Sequence, residues 1–171
     1  MSSDLGLAMI EVKLNYDEQI AAAKTGFLRQ TYTEQNVHFH DQSALGNLHE
    51  GVLRNAEAAG AELAAAKHFE IPNFKLTINT FKRLADVGSR IEIKHTVWKE
   101  GHLIIRERDR DGDIAVLVTG KSPKYYIVGW IPISIAKSDR FKHKDGSWWI
   151  SQINLRAMGN LRESNYGNVS V

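Results

Sequence analysis

The residues that could do chemistry together are Asp86, Glu92 and Lys94, in the stretch Ala85-Asp86-Val87-Gly88-Ser89-Arg90-Ile91-Glu92-Ile93-Lys94. In an extended strand alternate side chains share a face. Ile91, Ile93 and Val97 then point to a core, while Glu92, Lys94 and Thr96 point away from it, with Glu92 and Lys94 about 7 Å apart at strand rise. A three-residue turn at Gly88-Ser89-Arg90 would set Val87 opposite Ile91 and Asp86 opposite Glu92. Facing carboxylates repel by up to about 1 kcal/mol in a cross-strand pair, and a divalent cation between them reverses the sign. All-oxygen donors favour Mg²⁺, or Mn²⁺, which keeps waters that a phosphate can displace. Lys94 beside them supplies positive charge for an attacking water or for charge developing on phosphorus.

These three residues must be positioned by surrounding elements, and the pattern of the chain supplies candidates. Tyr16 to Gln35 has helical composition, with Asp17 and Glu18 in the first turn, where the helix dipole favours acids. Leu45, Leu48, Val52, Ala56, Ala59, Leu63 and Ala66 recur at steps of three and four and predict a second helix with one apolar stripe. It should end near Phe69, because Pro72 disfavours helix at Ile71. The pattern then turns to strands: Phe74 to Phe81, Ile91 to Trp98, Leu103 to Arg108, Ile114 to Thr119 and Tyr125 to Ile131. The last two are nearly continuous apolar runs, as in strands covered on both faces. Asp111-Gly112 and Lys121-Ser122-Pro123 supply turns. Ile135 to Lys137 is expected to begin a short helix, and Trp148 to Leu155 a last strand. Two helices followed by about five strands predict an α/β fold: a mixed β-sheet flanked by helices.

With the Gly turn and the preceding helix in view, the sequence resembles the PD-(D/E)XK nucleases. Asp86 followed by Glu92-Ile93-Lys94 is similar to that superfamily's motif, with Ala85 where many members have proline. Gly60-Ala61-Glu62-Leu63-Ala64-Ala65-Ala66-Lys67 resembles the helix that donates a further acid in many members. Leu103 to Gly120 and Tyr125 to Pro132 resemble the central strands of small, phage-like members. The resemblance covers about residues 45–135. It implies a restriction-endonuclease-like core and a metal-dependent nuclease acting on DNA, with RNA or branched DNA as further substrates. It makes Asp86 and Glu92 metal ligands, the main-chain carbonyl of Ile93 a third, and Glu62 a ligand directly or through water. Lys94 would orient water or stabilise the transition state. Two alternatives stay open: a nucleic-acid-binding module without catalysis, and a protein-interaction domain whose acids and lysine are surface pairs.

Composition sets the outer bounds. The chain's 171 residues suit one domain with a real core. A single nuclease-like domain over 1–171 is expected, with an N-terminal helical segment (about 1–40) and a loose tail (about 165–171). No apolar run reaches the roughly 18 residues of a membrane span, and the start is a poor secretory signal. The absence of cysteine excludes disulfides and thiolate metal sites. A cytoplasmic protein without membrane contact fits these features, and a homo-oligomer is what the resemblance, not the composition, adds.

Charge is unevenly spread. Residues 1–70 hold 5 Lys/Arg and 10 Asp/Glu, whereas residues 71–171 hold 17 and 10, a net +7. That asymmetry suits a polyanionic partner. Lys137, Arg140, Lys142 and Lys144, then Lys121 and Lys124, are the candidate phosphate contacts. Several other polar groups read as structure. His38, His40 and His49 lie in or near a polar connection and lack a metal-site pattern. Asp109, Asp111 and Asp113 do not complete a calcium loop and are read as a turn. His95 is expected on the face opposite Lys94, and Trp148 and Trp149 in core and edge packing.

Overall fold

The computed structural model describes residues 8–36, 46–78 and 84–167. Its elements are β1 (Ile10–Lys13), α1 (Tyr16–Asn36), α2 (Leu48–His68), β2 (Ile91–Thr96), β3 (Leu103–Ile105), β4 (Ile114–Lys121), β5 (Lys124–Pro132), α3 (Ile133–Ala136) and β6 (Trp148–Ile150). Among them, no helix is long and apolar enough to cross a membrane.

Both long helices begin where side chains satisfy their free amides. At α1, Asn15 and Glu18 cap each other: Glu18 N–H donates to Asn15 Oδ1 (2.8 Å), and Asn15 N–H to Glu18 Oε2 (2.7 Å). At α2, Asn47 Oδ1 accepts from the amides of His49 and Glu50. Phe69 then closes α2 through its N–H to Ala65 O, as the proline downstream predicts.

The main sheet has the order β1-β5-β4-β2. β2 runs parallel to β4, and the other pairs are antiparallel. A mixed sheet flanked by helices is therefore present. β3 and β6 form a separate antiparallel ribbon.

Each face of the main sheet carries its own core. On one, α2 covers Ile91, Ile93, Ile114, Val116, Val118, Tyr125, Ile127 and Trp130. On the other, the β3–β6 ribbon and α3 cover Ala115, Leu117, Val128 and Ile131. The alternation in β4 is simple. In β5 it changes parity: Tyr125 and Ile127 face α2, and so does Trp130. The register shift opposite Leu117/Val118, a β-bulge, allows this.

Several expectations need correction. β1 precedes the helices, so the N-terminal segment is not wholly helical; its four residues are too few to show an alternation by themselves. Phe74 to Ile78 is not a strand, and 79–81 lie outside the described residues. β2 stops at Thr96 rather than Trp98, and Val97 is exposed rather than in the core. β3 is confined to Leu103–Ile105 and β6 to Trp148–Ile150. The tail is anchored as far as Tyr166, whose ring packs edge-on against Trp130; 168–171 lie outside the description.

The stripe of α2 is also rotated from the expected one. Its buried residues are Gly51, Ala59, Gly60, Ala61, Glu62, Ala64, Ala65 and Ala66, whereas Leu48 is exposed. Small side chains let the helix axis lie close to the sheet, and bulky ones would hold it off. The same economy of volume governs α1 against α2. A Cβ added at Gly26 would lie 2.5–2.6 Å from backbone atoms of Ala56, which cannot rotate away. Gly26→Ala is therefore expected to lower the melting temperature. Overpacking costs about 1–3 kcal/mol, against a helix-propensity gain of about 1 kcal/mol at most. Calorimetry of the two proteins checks the sign.

Candidate active site

The turn after Asp86 forms as its spacing predicts. Val87 and Ile91 exchange both backbone hydrogen bonds (3.1 and 3.2 Å), and Gly88 takes φ +59°, a conformation glycine adopts without strain. β2 is the outer strand of its sheet, so its far side is open to the hairpin. Ile91 points both its N–H and its C=O to that side, and Ile93, two residues on, repeats the direction. Ile93 N–H donates to Asp86 Oδ2 at 2.8 Å. Asp86 Oδ1 and the Ile93 carbonyl are thereby brought to the same outer edge.

Glu92 and Lys94 project from the sheet face away from α2. With Asp86 they line one cavity of about 130 Å³, together with Leu84, Arg108, Asp109 and Arg110. Lys94 Nζ lies 2.8 Å from Asp109 Oδ2 and 3.4 Å from Glu92 Oε1. Asp109 is buried and also accepts from the Arg106 amide (2.8 Å). Its loop is clamped by Lys137, whose Nζ donates to Glu107 O, Asp109 O and Asp111 Oδ1 at 2.7–3.0 Å.

Burial and crowding of like charge distort the acids. Burial, then the charge of Glu62, pushes the Asp86 carboxyl up to about 7. Burial, then the charge of Asp86, does the same for Glu92, also to about 7. Lys94 opposes both shifts without cancelling them. The folded protein therefore holds protons that the unfolded chain gives up near pH 4. Stability contributed by these acids is present below about pH 4 and is lost as pH rises to about 7. Thermal melts in chelator are expected to show the midpoint falling across that window. A flat profile would contradict the burial of these two groups.

Among the described residues no three His, Cys, Asp or Glu side chains form a ready-made metal cage. Mg²⁺ does not ask for one, since it commonly takes one or two carboxylates and keeps waters. Two crowded carboxylates lining one cavity, Asp86 and Glu92, fit that requirement.

Other predicted residues are placed differently. Glu62 does not line the cavity. Its carboxylate is held by both terminal nitrogens of Arg29 at 2.9 Å, and both side chains are buried. Burial raises its pKa, and Arg29 opposes the rise. Lys137 is committed to the Asp109 loop. Arg140 Nη2 bonds Asn154 Oδ1 (2.6 Å), and Lys142 sits 3.7 Å over the Trp148 ring. Lys121, Lys124 and Lys144 are exposed and none lines the acid cavity. His95 faces away, its Nε2 2.8 Å from Gly120 O. His49 is exposed on α2, and His38 and His40 lie outside the described residues.

Asp109, with Arg108 and Arg110, lines the site without having been singled out for it by the sequence, and Arg29, outside the cavity, is the unforeseen partner of Glu62. The acid-rich stretch 109–113 was the available signal, but it looks the same whether it forms a plain turn or a lysine's partner. Compared with family models, curated proteins and solved structures, the chain finds no significant match.

Proposed function

We propose that the protein is a metal-dependent nuclease on a restriction-endonuclease-like core, hydrolysing phosphodiester bonds in DNA. The observation that carries the reading is the convergence of Asp86, Glu92 and Lys94 on one cavity across the Val87–Ile91 hairpin. Two mutually repelling carboxylates destabilise the protein that holds them, and a cation-binding role accounts for keeping them together.

Asp86, Glu92 and the Ile93 carbonyl would hold Mg²⁺ or Mn²⁺. A bound divalent cation supplies Lewis acidity toward the scissile phosphate and lowers the pKa of a bound water. Lys94 brings an ammonium to the same cavity, where it orients the incoming water and offsets charge developing on the phosphate oxygens. Asp109 fixes the direction of that ammonium. Arg108, exposed at the cavity wall, adds a cation for the substrate backbone. No covalent intermediate with the protein is required.

The direct test is cleavage of linear, circular, single-stranded and branched DNA, and of RNA, with and without divalent metal. Metal-stimulated cleavage that chelator abolishes is expected; none on any substrate would end the reading. Mg²⁺ at tenfold its dissociation constant should stabilise by about 1.4 kcal/mol, which is about 3–6 °C for a chain of this size. The gain should be larger at pH 8 than at pH 5, because protonated carboxyls must lose their protons to bind. Equal midpoints with and without metal at pH 8 would remove the cation site.

A further inference from the structure

A second cavity, of about 480 Å³, runs along the outer edge of β2 and is lined in part by Lys94, Thr96, Trp98, His102, Ile104 and Trp149. Lys94 borders both cavities, so the larger one opens beside the proposed reaction centre. Its volume is in the range of small-molecule clefts, roughly 300–1,000 Å³.

The Trp149 ring and the backbone that carries Trp98 are held in place. Trp98 is 73% exposed, yet its loop is pinned. Its N–H donates to Thr96 Oγ1 (3.3 Å), and its carbonyl accepts from Gly101 N–H (3.0 Å). Gln152 Nε2 donates to the carbonyls of Lys99 and Gly101 (2.8 and 3.1 Å). Trp149 is braced by His143, stacked at 4.2 Å and 15°, and by its Nε1–H to Ser147 Oγ (2.9 Å). His102 lies tilted against Trp149 at 5.7 Å. An exposed indole on a fixed loop contributes little to the core, but it offers a flat apolar face at the mouth of the cavity. Nucleobases stack on such faces with little regard to sequence.

We propose that this cavity receives an unpaired nucleobase of the strand whose phosphate lies at Asp86, Glu92 and Lys94. The proposal rests on the nuclease reading and sharpens it: the substrate is a strand with unstacked bases, since an intact duplex keeps its bases paired and out of reach.

Binding can be measured apart from turnover, by the fluorescence anisotropy of end-labelled probes in chelator, a signal that substitution of Trp98 does not itself remove. The probes are oligo(dT), an abasic deoxyribose-phosphate strand of equal length, a blunt hairpin duplex of equal charge, and oligo(rU). Oligo(dT) should bind about tenfold or more tighter than the abasic strand and the duplex. Trp98→Ala should remove about tenfold of that affinity, and Trp98→Phe, which keeps a ring, no more than about threefold. His102→Ala should act in the same direction. The exposure of Trp98 predicts an unchanged melting temperature for both of its variants. Tighter binding of oligo(rU) than oligo(dT) would assign the base to RNA and keep the site.

Equal binding of oligo(dT) and the abasic strand, or no effect of Trp98→Ala, overturns the proposal. Cleavage measured in parallel separates the two claims. If binding depends on Trp98 but no substrate is cut, the base site stands and the nuclease reading falls. If DNA is cut and Trp98→Ala changes neither binding nor KM, the nuclease reading stands and the base site falls.

Discussion

Asp86→Asn is expected to cut metal-dependent cleavage by about 10²–10³-fold or more while raising the melting temperature of the metal-free protein at pH 8. The first effect follows from removing an anionic oxygen donor. The second follows from the crowding of charge: Asp86 and Glu92 are each pushed up to about 7 by burial and by neighbouring acids. A neutral amide at position 86 relieves that repulsion, and its oxygen can still accept from Ile93 N–H. Lys94→Ala should lose cleavage to a similar degree but shift stability the other way. It strips Glu92 and the buried Asp109 of their cation. Two variants with the same loss of activity and opposite changes in melting temperature would be hard to obtain from a merely structural trio. If Asp86→Asn melts lower and cleaves normally, the three residues form an ordinary ion cluster.

Arg29→Ala is expected to be among the most destabilising single substitutions in the chain. It leaves Glu62 buried without its bidentate partner, a cost of about 3–5 kcal/mol. At about 2–4 °C per kcal/mol, the midpoint should fall by roughly 6–20 °C. It also removes the Arg29 Nε–H bond to Thr77 O (2.8 Å), which ties α1 to the segment after α2. Replacing the pair together, as Arg29→Met with Glu62→Met, should recover most of the loss, because two apolar side chains of similar length can fill the space without a stranded charge. The double variant also settles the role of Glu62. With its carboxylate engaged by Arg29, cleavage per folded molecule should fall by no more than about 10–100-fold, the range of a supporting residue away from the metal. A loss as large as that of Asp86→Asn would mean that Glu62 leaves Arg29 and binds the metal.

How far the sequence could be read depended on how local each cause was. The hairpin was legible because glycine punctuation and alternating apolar residues fix its register within ten positions. The two long helices and β4–β5 were legible for the same reason. Arg29 and Glu62 lie 33 positions apart on different helices, and nothing in either helix alone announces the pair. Asp109 reads as a turn acid until the return of the chain from β3 to β4 sets it against Lys94. Lys137 illustrates the converse: a lysine in a basic stretch suggested phosphate, whereas three oxygens of one loop claim its ammonium. β1 was hidden because its partner strand lies more than a hundred residues downstream.

The bulge opposite Leu117/Val118 has a consequence for how this chain can vary. It resets which side of β5 looks inward, so that Ile127 and Trp130 serve one interior and Val128 and Ile131 the other. Deleting Val128, the residue left unpaired between Ile127 and Gly129, would remove the bulge and leave Trp130 and Ile131 on their own sides, whereas inserting one residue beyond it would drive an indole into the compartment shaped for isoleucine and the reverse. Length in that strand can therefore shrink at the bulge without exchanging the two interiors, but cannot grow by one residue beyond it.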